Sequence, residues 1–277
     1  MDFRNLYMPL TAGNRNLTYI ERAPVEALAQ YVHCYWYYED IPNDYDSLVI
    51  PDTCVDIIYS VDKESKVTAT FCGVNDRPYY KHVAASFTER KAFAVRFYVW
   101  SFSLLSGETL QKTRNVFLEA ELYMSYYVKE MKKIINIDST FDEFIKISDK
   151  LLTKQLNERY QDTGFMNAVY QILKNKGNIR IDELSDQCFI GKRHLERLFY
   201  TRMDLSPKRF VDLIRYQNVW KEILLNRDIN ELVFQLGYSD QSHLLRKFKN
   251  YHGITPPNAK IFAYRTEKTA SQINEPF

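Results

Sequence analysis

Two short stretches in the last third of the chain carry side chains suited to contacting base edges and a polyanion. At the 100° step of a helix, Lys192 to Met203 puts Leu195, Leu198 and Phe199 on one arc. Arg193, Glu196, Arg197 and Tyr200 fall within about 100° of each other on the opposite arc. After Ser239 and Asp240 the pattern returns. Leu244, Leu245, Phe248 and Tyr251 make an apolar arc, and Ser242, His243, Arg246, Lys249 and Asn250 lie across from it. An arginine fork matches guanine O6 and N7 in the major groove, and a helix is the element that fits that groove.

Such helices need supports to aim them. Before the second, Leu232, Val233 and Leu236 space a short buried helix, and Gly237 supplies a left-handed turn. Ser239 or Asp240 is placed to cap the second recognition helix, and Gly253 and Pro256 then stop it. Before the first, Asp182 to Cys188 reads as a support helix with Leu184 inside, and ahead of that lies a helix near 165–174 ended by Gly177. Ser206 as N-cap and Pro207 at the first helical position open a long helix reaching Leu225. Its Val211, Leu213, Ile214, Val219, Trp220, Ile223 and Leu224 are apolar on more than one side, as a linker between two units requires. Asn226-Arg227-Asp228 ends it. The layout is two helix-turn-helix units, each with an outer face rich in Arg, Lys and polar residues.

Upstream, residues 1–106 read as mostly β. The runs 31–38, 47–50, 55–61, 67–72 and 93–99 are rich in Tyr, Val, Ile and Phe and are separated by turn clusters at 42–44, 62–65 and 75–78. Short strands at this spacing suggest a small barrel or sandwich. Pro24 to Gln30 reads as a helical turn. From 107 to 159 helical spacing takes over, with a break near 137–139 and a capping box at Ser139 and Asp142. These helices either build a dimer face or pack on the barrel. Residues 160–164 are the expected hinge.

Charge divides the same way. Residues 164–265 hold 17 Lys and Arg against 10 Asp and Glu, whereas residues 1–163 hold 19 against 23. A basic module behind an acidic one fits nucleic-acid binding joined to sensing. At 45% hydrophobic the chain is too apolar for disorder, and it shows neither a signal peptide nor an apolar run long enough to span a membrane. Four scattered cysteines without a C-x-x-C suggest reduced, buried thiols and a cytoplasmic protein.

The stretch D-I-N-E-L-V-F-Q-L-G-Y-S-D-Q-S-H-L-L-R-K-F-K followed by G-I-T-P-P, with H-L-E-R-L-F, S-P-K-R-F and R-Y-Q upstream, resembles the AraC/XylS family of bacterial transcription regulators over residues 165–264. The resemblance implies two helix-turn-helix subdomains on a linker helix, entering successive major grooves. Matched by motif, the base-reading positions are Arg193, Glu196 and Arg197 in the first helix and Gln241, Ser242 and Arg246 in the second. Lys192, Lys208, His243, Lys247 and Lys249 are expected to meet phosphates. This chain departs from the family pattern in the support helices, at Ser185 and Val233. It departs again at Asp204, where a glycine is usual.

Y-V-H-C-Y-W, P-D-T-C-V-D-I-I-Y, F-C-G and A-V-R-F-Y resemble the cupin-like sensor domains of a subgroup of this family, although Tyr98-Val99-Trp100 stands where that subgroup has Pro-Gly.

The expected fold is therefore α+β. A cupin-like β-barrel (1–106) precedes linking or dimerisation helices (107–163), an all-α double helix-turn-helix domain (164–265) and a tail (266–277). Tyr35, Trp36 and Tyr37 are the candidates for an effector pocket, with core packing as their alternative role. His33 and His82 without an H-x-H pattern argue against a metal, and neither a cofactor nor a catalytic residue is expected. Asp52 and Asp56, four apart, suit a turn cap or a backbone contact better than acid–base work. The expected partners are promoter DNA, RNA polymerase, a small-molecule effector and a second copy of the chain. The alternative is an enzyme-like or partner-controlled barrel tethered to a DNA-binding module.

Overall fold

The computed structural model describes residues 3–12, 19–39, 45–83, 89–156 and 163–264. The turn cluster at 42–44, most of the expected hinge (160–162) and the tail from 266 lie outside them. The aromatic and β-branched runs of the first third form antiparallel strands. These are β1 (Ile20–Arg22), β2 (Val32–Glu39), β3 (Tyr45–Val49), β4 (Cys54–Asp62), β5 (Val67–Cys72), β6 (Tyr79–Val83), β7 (Glu89–Tyr98) and β8 (Phe117–Glu119). Six of them make one sheet in the order β1-β2-β7-β4-β5-β8, and β3 pairs with β6 in a separate ribbon.

The expected barrel is not formed: among the described residues the edge strands β1 and β8 do not pair. Helices cover one face of the sheet instead. Tyr35, Tyr37, Tyr59 and Phe93 from the strands meet Phe141, Phe144 and Tyr127, with Phe93 and Phe144 stacked at 5.2 Å. A face buried in this way does not need closure to leave water.

Where the sequence suggests the end of a strand and the start of a linker, the structure has the helix α1 (Val99–Ser106). Its sequence V-W-S-F-S-L-L-S is buried on every side, so it lacks the amphipathic period that marks a surface helix. Ser101 Oγ donates 2.6 Å to Tyr31 O and Gly107 caps the end at φ 78°, while Trp100 Nε1 and Ser103 Oγ are buried without a hydrogen-bond partner. The two helices expected next are α2 (Glu121–Ile134) and α3 (Phe141–Leu156). The capping box sits one residue later than expected. Thr140 and Glu143 exchange side-chain and backbone hydrogen bonds, while Ser139 Oγ serves the preceding turn by accepting from Asn136 N. α3 and the inner side of α2 pack on the sheet. Leu122 and Tyr126 on the outer side of α2 are exposed.

The last third holds α4 (Thr163–Lys174), α5 (Ile181–Cys188), α6 (Lys192–Met203), α7 (Pro207–Leu224), α8 (Ile229–Gln235), α9 (Gln241–His252) and α10 (Pro256–Tyr264). Pro256 opens α10 rather than only closing the helix before it.

The sheet and these helices share one apolar core, and α7 lies within it. Trp100 of α1 packs between Phe3 at 6.0 Å and Phe210 of α7 at 5.8 Å. The buried Gln217 amide of α7 receives 2.8 Å from Leu10 N and donates 3.0 Å to Leu10 O and 2.6 Å to Pro51 O. Trp220 Nε1 donates 3.2 Å to Thr11 O. Replacing Gln217 by Leu strands three buried backbone groups, and each orphaned group costs about 1–3 kcal/mol. The expected result is a clear fall in the urea midpoint of Gln217→Leu, with little change for Lys221→Ala on the exposed side of the same helix.

Candidate nucleic-acid interface

The first unit is built on a left-handed turn. Phe189 ends α5 at φ 54°, an uncommon conformation for a side chain of its size, and is 96% exposed. Ser185 holds the turn by donating 2.6 Å from Oγ to Ile190 O, which gives a role to a residue that departs from the family pattern. α6 then buries Leu195, Phe199 and Met203 and exposes Arg193, His194, Glu196, Arg197 and Tyr200. Asp204, where the family has glycine, still adopts the glycine-like φ of 54° and caps α6. Its carboxylate accepts 3.0 Å from Arg114 N of the N-terminal half.

The second unit repeats the scheme with better caps. Asp228 accepts 2.7 Å from Asn230 N at the start of α8, and Gly237 turns at φ 68°. Of the two candidate caps of α9, Asp240 fills the role: it accepts 2.7 Å from His243 N, and that bond lowers its pKa. α9 buries Leu244, Phe248 and Tyr251 and exposes Gln241, Ser242, Arg246, Lys249 and Asn250. All six expected base readers are thus exposed on α6 or the opening turns of α9.

The expected phosphate contacts differ in their surroundings. Lys192 pairs with Asp182 at 2.6 Å, and this lowers the Asp182 pKa. Lys208 and Lys247 converge on one carboxylate, Asp212 of α7, at 2.8 and 3.6 Å. His243 is partly buried, with Nδ1 3.0 Å from Ser239 Oγ and its ring edge-on to Tyr238. Lys249 is exposed.

Sequence reasoning misses the residues that lock the two units together. Arg215 of α7 donates twice to Gly177 O, at 2.9 and 2.7 Å, and its guanidinium lies over the Tyr238 ring, 5.6 Å from the centroid. Arg209 reaches the N-terminal half at Asp76 and also covers Tyr251. Both lie in motifs, R-Y-Q and S-P-K-R-F, that could have flagged them.

Tyr35, Trp36 and Tyr37 do not line a common pocket, because successive strand residues point to opposite faces. Tyr35 and Tyr37 pack under α3, and the Tyr35 hydroxyl donates 2.7 Å to Asp149. Trp36 lies on the other face, stacks on Tyr38 at 5.6 Å and donates 3.3 Å to Asp56. That face also carries buried Arg96, with Asp56 at 3.0 Å, Asp52 at 3.7 Å and Glu21 at 3.9 Å. Asp52 in addition accepts 3.0 Å from Cys54 N, the local backbone contact expected of it. The side chain of His82 lies outside the described positions.

Two helix-turn-helix units on one shared helix define a double helix-turn-helix DNA-binding module. Residues 184–259 match the family described as a helix-turn-helix domain, and residues 20–119 match a domain of unknown function (DUF6597). Similar curated proteins include a Haemophilus influenzae HTH-type transcriptional regulator, 25% identical over 114 residues. A probable transcriptional regulator LumQ of Photobacterium leiognathi is 26% identical over 129 residues. These matches cover 40% and 46% of this chain and only 38% and 51% of the relatives. Among solved structures, ToxT from Vibrio cholerae aligns over 90% of this chain and 98% of its own, at 10% identity and a TM-score of 0.42. Residues 184–259 are therefore a helix-turn-helix domain, similar to those of transcriptional regulators.

His252, in the core of the second unit, gives a pH signature. Its Nδ1 is 2.9 Å from the Tyr216 hydroxyl, its Nε2 is buried without a partner, and burial pushes its pKa down to about 3. The folded state therefore resists a proton that the unfolded chain accepts near the ordinary histidine value. Stability is full above about pH 6.5 and falls as pH drops toward 3, with a slope approaching about 1.4 kcal/mol per pH unit from this group. Urea unfolding of His252→Phe is expected to lose that share of the pH 7 to pH 5 dependence.

Proposed function

We propose that the chain is a sequence-specific transcription regulator whose two recognition helices, α6 and α9, read successive major grooves. The observation that carries this is the pairing in both helices of a buried apolar arc with exposed side chains at every motif-matched reading position. Arg193, Glu196, Arg197, Gln241, Ser242 and Arg246 specify the site. Lys192, Lys208, Lys247, Lys249 and His243 position the protein on phosphates. Residues 164–265 form the reading module, residues 1–106 an open-sheet sensor for a small molecule, and residues 107–163 the helices between them. The protein acts in the cytoplasm as a non-enzymatic homodimer that works with RNA polymerase.

Gel shifts against the region upstream of its own gene, over a salt series, test this. Arg246→Ala is expected to cost about 1–3 kcal/mol on the preferred site and to relax sequence preference, whereas Lys249→Ala weakens all sequences alike and lowers the salt slope by about 1. Binding with no sequence preference in the unsubstituted protein would overturn the proposal.

A further inference from the structure

On the sheet face away from the helices, three metal-ligating side chains of different chemistry come together. The Glu21 carboxylate, a His33 ring nitrogen and Cys34 Sγ all lie within 4.8 Å of one another. Two of them are sequence neighbours, and neighbours in a regular strand point to opposite faces. A β-bulge removes that obstacle. Val32 pairs with Phe97 and Cys34 with Arg96, so two steps along β2 match one along β7 and His33 is the extra residue. Glu21 of β1 pairs with Trp36, which shares this face with Cys34.

The surroundings suit a cation. Glu21, Asp52 and Asp56 set three carboxylates around the buried guanidinium of Arg96, with Arg4 the further cation acting on His33. The ligands are also held from behind. The Tyr19 hydroxyl donates 2.5 Å to Glu21, and the Tyr98 hydroxyl lies 3.5 Å from His33 Nδ1.

We propose that Glu21, His33 and Cys34 form a three-ligand site for a borderline divalent cation of the zinc type, with a fourth position left for water or an exogenous ligand. Sulfur, imidazole and carboxylate together match zinc or cobalt rather than magnesium or calcium. On binding, the Cys34 thiol loses its proton to solvent and the thiolate takes the metal. Use of this site as an input to DNA binding rests on the regulator reading above. The metal measurement does not, so either can fail without the other.

The test uses the full chain, stripped with chelator and titrated with Zn²⁺ and Co²⁺. The expected result is one metal per chain by elemental analysis and a near-ultraviolet thiolate-to-cobalt band. The band is expected to vanish in Cys34→Ser. Affinity is expected to fall at least about tenfold in Glu21→Gln and His33→Asn, each of which removes one ligand. Substoichiometric metal, or a cobalt–thiolate band that survives Cys34→Ser, overturns the proposal. Should Cys34→Ser fail to fold, the two partly exposed positions decide: unchanged affinity in both Glu21→Gln and His33→Asn overturns it as well.

Discussion

The side-chain amide of Gln217 is the joint on which the arrangement of the two halves depends. A linker helix apolar on several sides would pack against the N-terminal half in many registers, because hydrophobic contact has no direction. A buried amide has direction. Its oxygen and nitrogen must meet the backbone of Leu10 on one side and Pro51 on the other, and any slip of α7 leaves those groups unpaired. One polar group thus converts a greasy contact into a defined one. Trp220, bonded to Thr11 one turn along the helix, repeats the constraint.

The residues after Pro51 extend this joint into the sheet. Asp52 faces Arg96 at 3.7 Å, and Thr53 Oγ1 lies 2.9 Å from the Tyr7 hydroxyl. Thr53 holds φ 61°, which for a β-branched residue costs on the order of 1–3 kcal/mol. A short strained segment therefore touches the buried ionic group, the N-terminal segment and the linker helix at once.

How much is legible in the sequence depends on whether the signal is local. The bounds of α6, the Ser206–Pro207 start of α7 and the glycine turns at 237 and 253 come from caps and from apolar spacing within a few residues, and the structure has them at those positions. The strand at Val67–Cys72 is likewise unchanged. α1 is hidden because a helix buried on all sides has no polar face to give a period. Barrel closure fails because strand pattern does not say which edges meet. The aromatic triplet at 35–37 groups by composition alone, and strand alternation separates Trp36 from its neighbours. The bulge at His33 and the approach of Lys247 to Asp212 arise from pairing between segments far apart in sequence, so no local window contains them, whereas the Lys208–Asp212 pair is an i,i+4 contact within α7.

Asp212 gives the reading surface a resident competitor. Its carboxylate holds Lys208 and Lys247, two of the cations expected on phosphates, from a side chain anchored on the linker helix. A DNA strand that takes up these lysines displaces an internal anion rather than bulk counterions alone. Part of the charge attraction that any polyanion would enjoy is already satisfied within the protein. Indiscriminate adhesion is damped, and discrimination between sites falls more heavily on the base-edge contacts.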